Sequence, residues 1–367
     1  MTPKKIIIFI PSIEGYGVEK NLYIITNFLA KHFSKIVLIT SSRRYKDKFN
    51  NRISLLTPKS YFWRKGGRLR KYFICSLLLI NYLLNNKNTL VFSFQANLYS
   101  TLISKLMCSK ITIRLNSAPV GWSKNLLKKY IFKILFSFAD RIIVNSLEFK
   151  KEIKNKFNIN STCIYNPLNK KEIFIKSKIK TKKIYSNKKS LKIINVGRLV
   201  EQKNQIILLK AVKYLAVEKK INLELILVGD GDMRPSLLKF ITSNKLQNTI
   251  KIKKFNSNPF NLIAQADLFV LSSKFEGLPN VLLEAIALKK FVISTNCSTG
   301  PKEILMGGKA GLLCKTNNHI DLKNKILFYL KNKTKCKKML LIAQKNLDRF
   351  DYNKNLNSYL KVINNFK

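Results

Sequence analysis

Two glutamates eight positions apart, Glu276 and Glu284, are the residues whose type and spacing most clearly predict chemistry. They lie in ADLFVLSSKFEGLPNVLLEAIA, where an apolar run predicts a buried strand and Pro279 and Asn280 are typical of a helix start. Amides at a helix start favour anions. Because no third carboxylate or His lies beside them, the two glutamates suit separate hydroxyl groups better than one metal ion. The alternative for Glu284 is an ordinary polar residue on an apolar helix.

A second group of residues follows an apolar strand in the segment NVGRLVEQKN. Gly197 predicts a turn there, after which Arg198 and Lys203 would emerge at the carboxyl end of the strand. Arg is scarce in this Lys-rich chain, so its presence favours bidentate binding of a phosphate. The alternative is a solvated turn with two surface cations, which the pairing with the glutamate loop disfavours.

Weaker signals occur elsewhere in the chain. The GDG at residues 229–231 allows close backbone approach but is also a common turn, and GYG at 15–17 is similar to a phosphate loop without the full GxGxxG pattern. His32, at the end of a predicted helix, and His319, in a predicted polar turn, belong to no motif. A His-centred nucleophilic triad therefore has no support, and the sequence disfavours Ser or Cys hydrolase chemistry.

The composition describes a globular chain with a strong positive charge. Its 367 residues are 46% hydrophobic and 11% aromatic, which excludes a disordered tail or a fibrous repeat and suits two cores. The 69 Lys and Arg against 19 Asp and Glu give a net charge of +50. The excess is spread along the chain and is mainly Lys, with abundant Asn and Ile. Either a coding-sequence bias or attraction to an anionic membrane explains it.

Cysteine usage and hydropathy predict a cytosolic protein without a transmembrane segment. The six cysteines lie far apart, with no CxxC pair or neighbouring His, as in reduced core thiols. The apolar run near the N-terminus is shorter than that of a signal peptide, and Tyr72–Leu84 is too short to span a bilayer.

Short apolar runs alternate with segments of helical period, the pattern of βαβ units around mostly parallel sheets. In a first series the predicted strands are Lys5–Pro11, Ile36–Thr40, Thr89–Phe94, Ile111–Leu115 and Arg141–Asn145, and the predicted helices are Val18–His32, Leu69–Asn85, Leu98–Cys108 and Ser123–Ala139. In a second series the strands are Leu191–Val196, Leu223–Val228, Ile250–Phe255, Leu268–Ser272 and Phe291–Ser294, and the helices are Asn204–Lys219, Met233–Asn244, Pro259–Ala264 and Asn280–Ala287. The last segment, Lys335–Lys367, also has a helical period.

The two series predict an α/β fold of two doubly wound, Rossmann-like domains. Residues 169–190 lack a clear period and predict a linker between an N-terminal domain over 1–168 and a C-terminal domain over 191–345. A final helix over 346–367 is expected to pack back toward the first domain. We expect the domains to face a central cleft, with ligands at the carboxyl ends of the strands.

Several of these motifs together resemble the family 4 retaining glycosyltransferases of GT-B fold. The resemblance rests on Gly197 and Arg198 with Lys203, on the GDG turn, and on EGLPNVLLEA followed by STGPKEIL. It spans the chain and is strongest from Leu191 to Leu313, while PSIEGYGVEK, ADRIIVNS and YNP match moderately. The first loop departs from the family pattern Gly-Gly-Ala-Glu-Arg, since this chain has YGVEK there.

The resemblance implies transfer of a sugar from a nucleotide-diphosphate donor with retention of anomeric configuration, no cofactor and no essential metal. Arg198 and Lys203 would hold the diphosphate and, with Glu276 at the donor sugar, form the catalytic group. The donor-binding residues it implies are Gly17, Gly197, Arg198, Lys203, Gly229, Phe255 near the base, Glu276, Gly277, Leu278, Asn280, Val281, and Glu284 at the ribose. Asn97 and Arg114 are the predicted acceptor-binding residues.

By the same resemblance, the donor is a nucleotide sugar, expected to be UDP-linked, that carries a hexose or N-acetylhexosamine. The enzyme would transfer this sugar to a lipid-linked saccharide in bacterial surface-glycan synthesis. The chain would act at the cytoplasmic face of the inner membrane. Lys and Arg side chains alternate with aromatic side chains in Tyr61–Tyr72 and Trp122–Tyr130. This mixture suits binding to the anionic membrane surface, and the alternative is that these are ordinary solvated helix faces. The alternatives are a basic nucleic-acid-binding protein, although no nucleic-acid motif is present, and a sugar-nucleotide epimerase or phosphorylase of similar architecture. The sequence leaves donor sugar, linkage, general base and oligomeric state open.

Overall fold

The computed structural model of the chain describes residues 5–14, 17–116, 126–187 and 189–365. Two parallel sheets flanked by helices are present, so the predicted α/β class with two doubly wound sheets is confirmed. The chain divides into two compact units, one of Met1–Pro167 with Tyr352–Lys367 and one of Leu168–Asp351. Each unit has its own sheet and its own hydrophobic core.

The first unit contains a seven-stranded parallel sheet. Its strands are β1 (Lys5–Phe9), β2 (Lys35–Ile39), β3 (Ile53–Leu56), β4 (Leu90–Ser93), β5 (Ile111–Arg114), β6 (Arg141–Val144) and β7 (Thr162–Cys163). The strand order is β3-β2-β1-β4-β5-β6-β7, so the direction of winding reverses between β1 and β4. The outer strands β3 and β7 are absent from the sequence prediction, and β7 has only two residues, too few to show a period.

The second unit contains a six-stranded parallel sheet. Its strands are β8 (Leu191–Val196), β9 (Leu223–Val228), β10 (Ile250–Lys253), β11 (Leu268–Leu271), β12 (Phe291–Thr295) and β13 (Leu312–Cys314). The order is β10-β9-β8-β11-β12-β13, and the winding reverses between β8 and β11. Every residue of β9 and β11 is buried, as expected for parallel strands covered by helices on both faces.

Helices lie between most consecutive strands, and three more follow the last strand, β13. They are α1 (Gly17–Leu29), α2 (Tyr61–Lys65), α3 (Arg68–Asn85), α4 (Asn97–Leu106), α5 (Leu126–Ser137), α6 (Leu147–Phe157), α7 (Lys170–Ser177), α8 (Gln205–Lys213), α9 (Arg234–Ser243), α10 (Phe260–Ile263), α11 (Asn280–Ala287), α12 (Pro301–Ile304), α13 (His319–Lys331), α14 (Lys333–Asn346) and α15 (Tyr352–Asn364). The predicted helix Asn204–Lys219 is divided, since a π-helical turn over Tyr214–Glu218 follows α8.

Three helices absent from the sequence prediction carry a recognisable start signal. The side chains of Ser146, Asn169 and Asn318 each accept a hydrogen bond from an amide three residues further on, at the starts of α6, α7 and α13. His319 is the first residue of α13, so its predicted place in a polar turn is wrong. The capping residues were a usable signal, but the weakly periodic segments behind them concealed it.

The segment expected as a linker, 169–190, belongs to the second unit and includes α7. Its far end is fixed by the buried carboxylate of Glu224, which accepts from the amides of Ser186 and Asn187 at 2.8 and 2.7 Å and from the Ser190 hydroxyl at 2.8 Å. This segment is thus folded onto one domain rather than suspended between two.

The C-terminal helix α15 groups with the first unit. Leu356, Tyr359 and Ile363 are fully buried in the same core as strands β1 and β4. The continuous helical segment expected over 335–367 is interrupted by a 3-10 turn at Leu347–Phe350, after which the chain leaves the second unit.

Candidate functional site

The two predicted motifs follow the strands at which the second sheet reverses its winding. β8 ends at Val196 and leads into Gly197 and Arg198, whereas β11 ends at Leu271 and leads into the loop that carries Glu276. β8 and β11 are parallel neighbours, so both loops leave the same edge of the sheet. In doubly wound sheets this edge at the reversal point is where ligands bind.

Gly197 and Gly229 allow the loops after β8 and β9 to touch. The Gly197 amide donates to the Val228 carbonyl at 3.0 Å, and a Cβ at Gly229 would lie 2.0 Å from the Gly197 carbonyl oxygen. A side chain at Gly229 is therefore impossible without moving the backbone. The next turn is fixed by the Leu199 amide, which donates to the Asp230 carbonyl at 2.9 Å. Arg198, between these two contacts, is held at the edge of the sheet.

A short 3-10 turn, Glu201–Lys203, is joined to the glutamate loop by backbone and side-chain hydrogen bonds. The Lys274 amide donates to the Gln202 carbonyl at 2.8 Å, and the Gln202 side chain donates to the Phe275 carbonyl at 2.9 Å. The Ser272 hydroxyl donates to the Lys203 carbonyl at 2.9 Å. These contacts bring together two motifs that lie more than 70 residues apart along the chain.

Lys203 and Glu276 meet in this arrangement. The ammonium Nζ lies 2.5 Å from Glu276 Oε1, and the Ser273 hydroxyl donates to the same oxygen at 2.6 Å. Glu276 is only 6% exposed. Its backbone carbonyl accepts from the Thr299 hydroxyl at 2.7 Å. A buried carboxylate and a largely buried ammonium are thus held at the sheet edge with fixed positions, and Ser273 is a contributor that sequence reasoning missed.

The loop after Glu276 continues into α11. Leu278 is buried, Asn280 and Val281 are half-buried at the helix start, and no side chain caps that start because the residue before it is Pro279. Glu284, in the second turn of α11, is 3% exposed. The prediction that Glu276 belongs to a loop and Glu284 to the following helix therefore matches the structure, and both carboxylates are buried rather than solvated.

Asp230, the central residue of the GDG turn, fixes the segment that contains Phe255. One carboxylate oxygen accepts from the Phe255 amide at 2.8 Å, and the other forms an ion pair with Arg234 at 3.4 Å. The Phe255 ring is 53% exposed. Sequence reasoning assigned Phe255 to the nucleotide base and treated Asp230 only as part of a turn. The acidic residue between two glycines was the signal that could have singled it out.

In the first unit, Gly17 and Asn97 also follow strands at a reversal point. Gly17 begins α1 after β1, and a Cβ there would meet no heavy atom within 4 Å. Asn97 begins α4 after β4, where it accepts from the Ser93 hydroxyl at 2.8 Å and donates to the Arg114 carbonyl at 3.1 Å. The predicted residues Gly15 and Tyr16, and the part of the predicted cation-and-ring segment before residue 126, lie outside the described residues.

Arg114, predicted to contact an acceptor, is fully buried. Its guanidinium donates to the Tyr359 hydroxyl at 2.8 Å, to Asn166 at 2.6 Å, and to Asn116. These partners connect β5, the segment before residue 168 and α15. The burial of the guanidinium favours a role in holding the C-terminal helix, and it disfavours direct contact with an acceptor.

Cys297, which lies near Glu276 and Lys203, is a buried free thiol. Burial, with a smaller contribution from the charge of Glu276, raises the pKa of Cys297 to about 12, so its thiol stays neutral near pH 7. Within residues 5–14, 17–116, 126–187 and 189–365, no three His, Cys, Asp or Glu side chains form a group that could hold a metal ion. Across the same residues, none of the helices combines the length and apolar character needed to cross a bilayer.

Solved structures share this architecture across the whole chain. The structure of Anabaena HepE in complex with UDP and glucose superposes with a TM-score of 0.80 at 17% identity, covering 99% of this chain and 100% of that one. Two doubly wound α/β units of this kind define the GT-B fold, as predicted.

The sequence comparisons point to glycosyltransferases. Residues 176–346, within the second unit, match the family of glycosyl transferases group 1, and this match supports a group 1 glycosyltransferase. An uncharacterized glycosyltransferase of Methanocaldococcus jannaschii is 37% identical over 206 residues, 54% of this chain and 50% of the relative.

A second relative comes from Campylobacter jejuni. The N-acetylgalactosamine-N,N'-diacetylbacillosaminyl-diphospho-undecaprenol 4-alpha-N-acetylgalactosaminyltransferase of that organism is 28% identical over 230 residues, 60% of each chain. The chain thus spans between half and about 60% of the length of these two relatives. The narrower assignment to family 4 stays a prediction.

Proposed function

We propose that the chain is a retaining glycosyltransferase that moves a hexose or N-acetylhexosamine from a UDP-sugar to a lipid-linked saccharide. The observation that carries the proposal is the meeting of Lys203 with Glu276, 2.5 Å apart, at the winding reversal of the second sheet. The Lys203 side chain lies against Gly197, the residue before Arg198. A cation for a phosphate and a carboxylate for sugar hydroxyls are thereby fixed in one place.

Arg198 and Lys203 supply the positive charge that the reaction needs. As the bond between the anomeric carbon and the donor phosphate oxygen breaks, negative charge develops on the departing UDP. Two cations held at the sheet edge stabilise that charge in the way that Mg²⁺ does in other transferases. Donor binding is therefore expected to persist in the presence of a chelator such as EDTA.

The remaining residues position the donor. Glu276 accepts hydrogen bonds from the sugar hydroxyls, with the backbone of Gly277, Leu278, Asn280 and Val281 around the sugar and phosphates. Glu284 accepts from the ribose hydroxyls. Phe255 contacts the base, and Asp230 holds the Phe255 backbone in place. Gly197 has no side chain that would separate the phosphates from Lys203, and Gly229 lets the loops after β8 and β9 touch.

Retention follows when the acceptor attacks on the face that the phosphate leaves. A bond forms between the acceptor oxygen and the anomeric carbon, the bond from that carbon to the phosphate oxygen breaks, and the acceptor proton passes to the released UDP phosphate. No protein carboxylate is needed as a nucleophile in this scheme. Asn97 remains the proposed acceptor contact of the first unit.

The comparisons support the choice of donor and acceptor. The Anabaena neighbour was solved with UDP and glucose, and the name of the Campylobacter relative describes an acceptor sugar on diphospho-undecaprenol. Both are carried to this chain as part of the proposal, together with action at the cytoplasmic face of the membrane.

A surface of the first unit supports action at a membrane. Helices α3, α4 and α5 are neighbours, and each exposes a stripe of apolar side chains at helical spacing. The residues are Leu69, Phe73, Leu77 and Leu84 on α3, Tyr99, Leu102 and Leu106 on α4, and Leu127, Tyr130, Ile131 and Ile134 on α5, with Phe138 in the turn directly after it. Exposed apolar stripes beside Arg68, Arg70 and Lys133 suit insertion into an anionic bilayer surface. We name these three stripes the α3–α5 face.

The first experiment is thermal unfolding of the purified chain with UDP-, GDP-, ADP- and dTDP-linked sugars, each with and without EDTA. A ligand at about 100 times its dissociation constant stabilises the folded state by roughly 2.7 kcal/mol, which is a measurable shift. We expect a selective shift with UDP-sugars that Arg198→Ala removes. Stabilisation by heparin alone, with no response to any nucleotide sugar, would favour the nucleic-acid alternative instead.

A further inference from the structure

Lys203 and Glu276 are each other's partners although the proposed function assigns them to different parts of the donor. Their side chains are only 17% and 8% exposed, so the ion pair is largely shielded from water. The Ser273 hydroxyl holds the same Glu276 oxygen at 2.6 Å. A ligand that needs the lysine must therefore compete with a buried carboxylate.

The backbone carbonyls of both residues accept hydrogen bonds, so separation of the pair requires movement of the side chains alone. The Ser272 hydroxyl holds the Lys203 carbonyl at 2.9 Å, and the Thr299 hydroxyl holds the Glu276 carbonyl at 2.7 Å. The flexible ammonium arm of Lys203 can turn toward a phosphate, while Ser273 keeps the carboxylate of Glu276 in position.

A nucleoside diphosphate and a nucleotide sugar affect the Lys203–Glu276 pair differently. A nucleoside diphosphate attracts Lys203 but leaves Glu276 buried beside a second anion, which is costly because a buried charge needs a partner. A nucleotide sugar also attracts Lys203, and its sugar hydroxyls give Glu276 new hydrogen-bond donors. Only the sugar-bearing nucleotide therefore provides partners for both side chains.

We infer that the Lys203–Glu276 pair determines specificity for the sugar-bearing nucleotide over the bare nucleoside diphosphate, with Ser273 as its positioning residue. The inference rests on the proposed function. After transfer, UDP no longer carries the sugar that satisfies Glu276, so re-formation of the pair weakens the hold on the product.

Isothermal titration of UDP and of a panel of UDP-sugars into wild type, Glu276→Gln and Glu201→Gln tests the inference. Glu201 forms an ion pair with Lys274 at 2.7 Å on the surface, so its variant is a matched loss of one carboxylate close to the site. We expect the best UDP-sugar to bind wild type at least about threefold more tightly than UDP. Glu276→Gln should bind UDP about tenfold more tightly than wild type, because the repulsion is gone.

A Ser273→Ala variant examines the positioning role. We expect it to lower the ratio of UDP-sugar affinity to UDP affinity, and Ser273→Thr, which restores the hydroxyl, to recover that ratio. Glu201→Gln should keep the wild-type ratio.

The outcomes separate the inference from the proposed function. If wild type binds UDP but Glu276→Gln binds it no more tightly, the inference is overturned and the proposed function stands. If wild type binds neither UDP nor any nucleotide sugar, the proposed function fails and the inference with it. Should Glu276→Gln not fold, Glu276→Ala removes the same charge. The inference is also overturned if the wild-type protein binds UDP as tightly as it binds every UDP-sugar.

Discussion

A Cβ at Gly300 would lie 1.8 Å from the carbonyl oxygen of Gly277. The backbone of Gly300 also has φ +78°, which side-chain-bearing residues rarely adopt. Gly277 directly follows Glu276, and the Thr299 hydroxyl beside Gly300 holds the Glu276 carbonyl. The close approach of these two glycines therefore sets the position of the site carboxylate.

We expect Gly300→Ala to lower the free energy of unfolding by about 3 kcal/mol and to abolish nucleotide-sugar binding, because the loop must move away from Gly277. Thermal unfolding and titration measure the two effects. Gly67→Ala is the control, since a Cβ there meets nothing within 4 Å. Wild-type stability and binding in Gly300→Ala would contradict this account of the loop.

Removal of the Asp230 carboxylate should weaken nucleotide binding. Asp230→Ala deletes the acceptor for the Phe255 amide, and the loss of one charge-assisted hydrogen bond corresponds to roughly tenfold weaker UDP binding. Asp232→Ala, an exposed carboxylate two residues further on, is the matched control. Equal dissociation constants for the two variants, measured by titration, would show that Asp230 does not position the base-binding segment.

The buried carboxylate of Glu224 should make stability depend on pH. Burial raises its pKa, but the amides of Ser186 and Asn187, the Ser190 hydroxyl and Lys251 outweigh burial, so the pKa lies below the ordinary 4.5. Its stabilisation is thus complete above pH 4.5 and is lost as the pH falls through the lower folded-state pKa.

Glu224→Gln should therefore lower the free energy of unfolding by about 2 kcal/mol at pH 7, with a deficit that shrinks as the pH falls below 4.5. Denaturant unfolding at pH 7 and at acid pH measures this difference. Glu218→Gln, an exposed glutamate of the same unit, provides the reference. A deficit that stays constant with pH would rule out the proposed role of the charge.

The α3–α5 face should mediate binding to anionic vesicles. Replacing Leu69 and Phe73 together by Ser removes two exposed apolar side chains, each of which contributes about 1.5 to 3 kcal/mol when it leaves water. We expect at least tenfold weaker co-sedimentation with vesicles that contain anionic phospholipid. Leu341→Ser, an exposed position of the second unit, should bind as wild type does. Unchanged binding of the double variant would remove this face from the proposal.

Local patterns predicted much of the fold. Alternating strand and helix periods indicated two doubly wound sheets, and the E-x7-E pattern placed Glu276 in a loop and Glu284 on the following helix, as observed. These features depend on residues close together in the chain, where period and turn chemistry act directly. The brief outer strands β3, β7 and β13 were missed, because they are defined by pairing with a neighbour rather than by a period of their own.

By itself, the sequence determined which residue types stand at the carboxyl ends of the strands, and so the resemblance from which the fold was predicted. Tertiary structure decided which of them meet. Lys203 reaches Glu276, and Arg114 reaches Tyr359 from 245 positions away, only because strand order brings distant loops and the last helix to one place. The same packing turned Arg114 from a predicted acceptor contact into a buried support, since burial depends on what covers a residue and not on its neighbours in the chain.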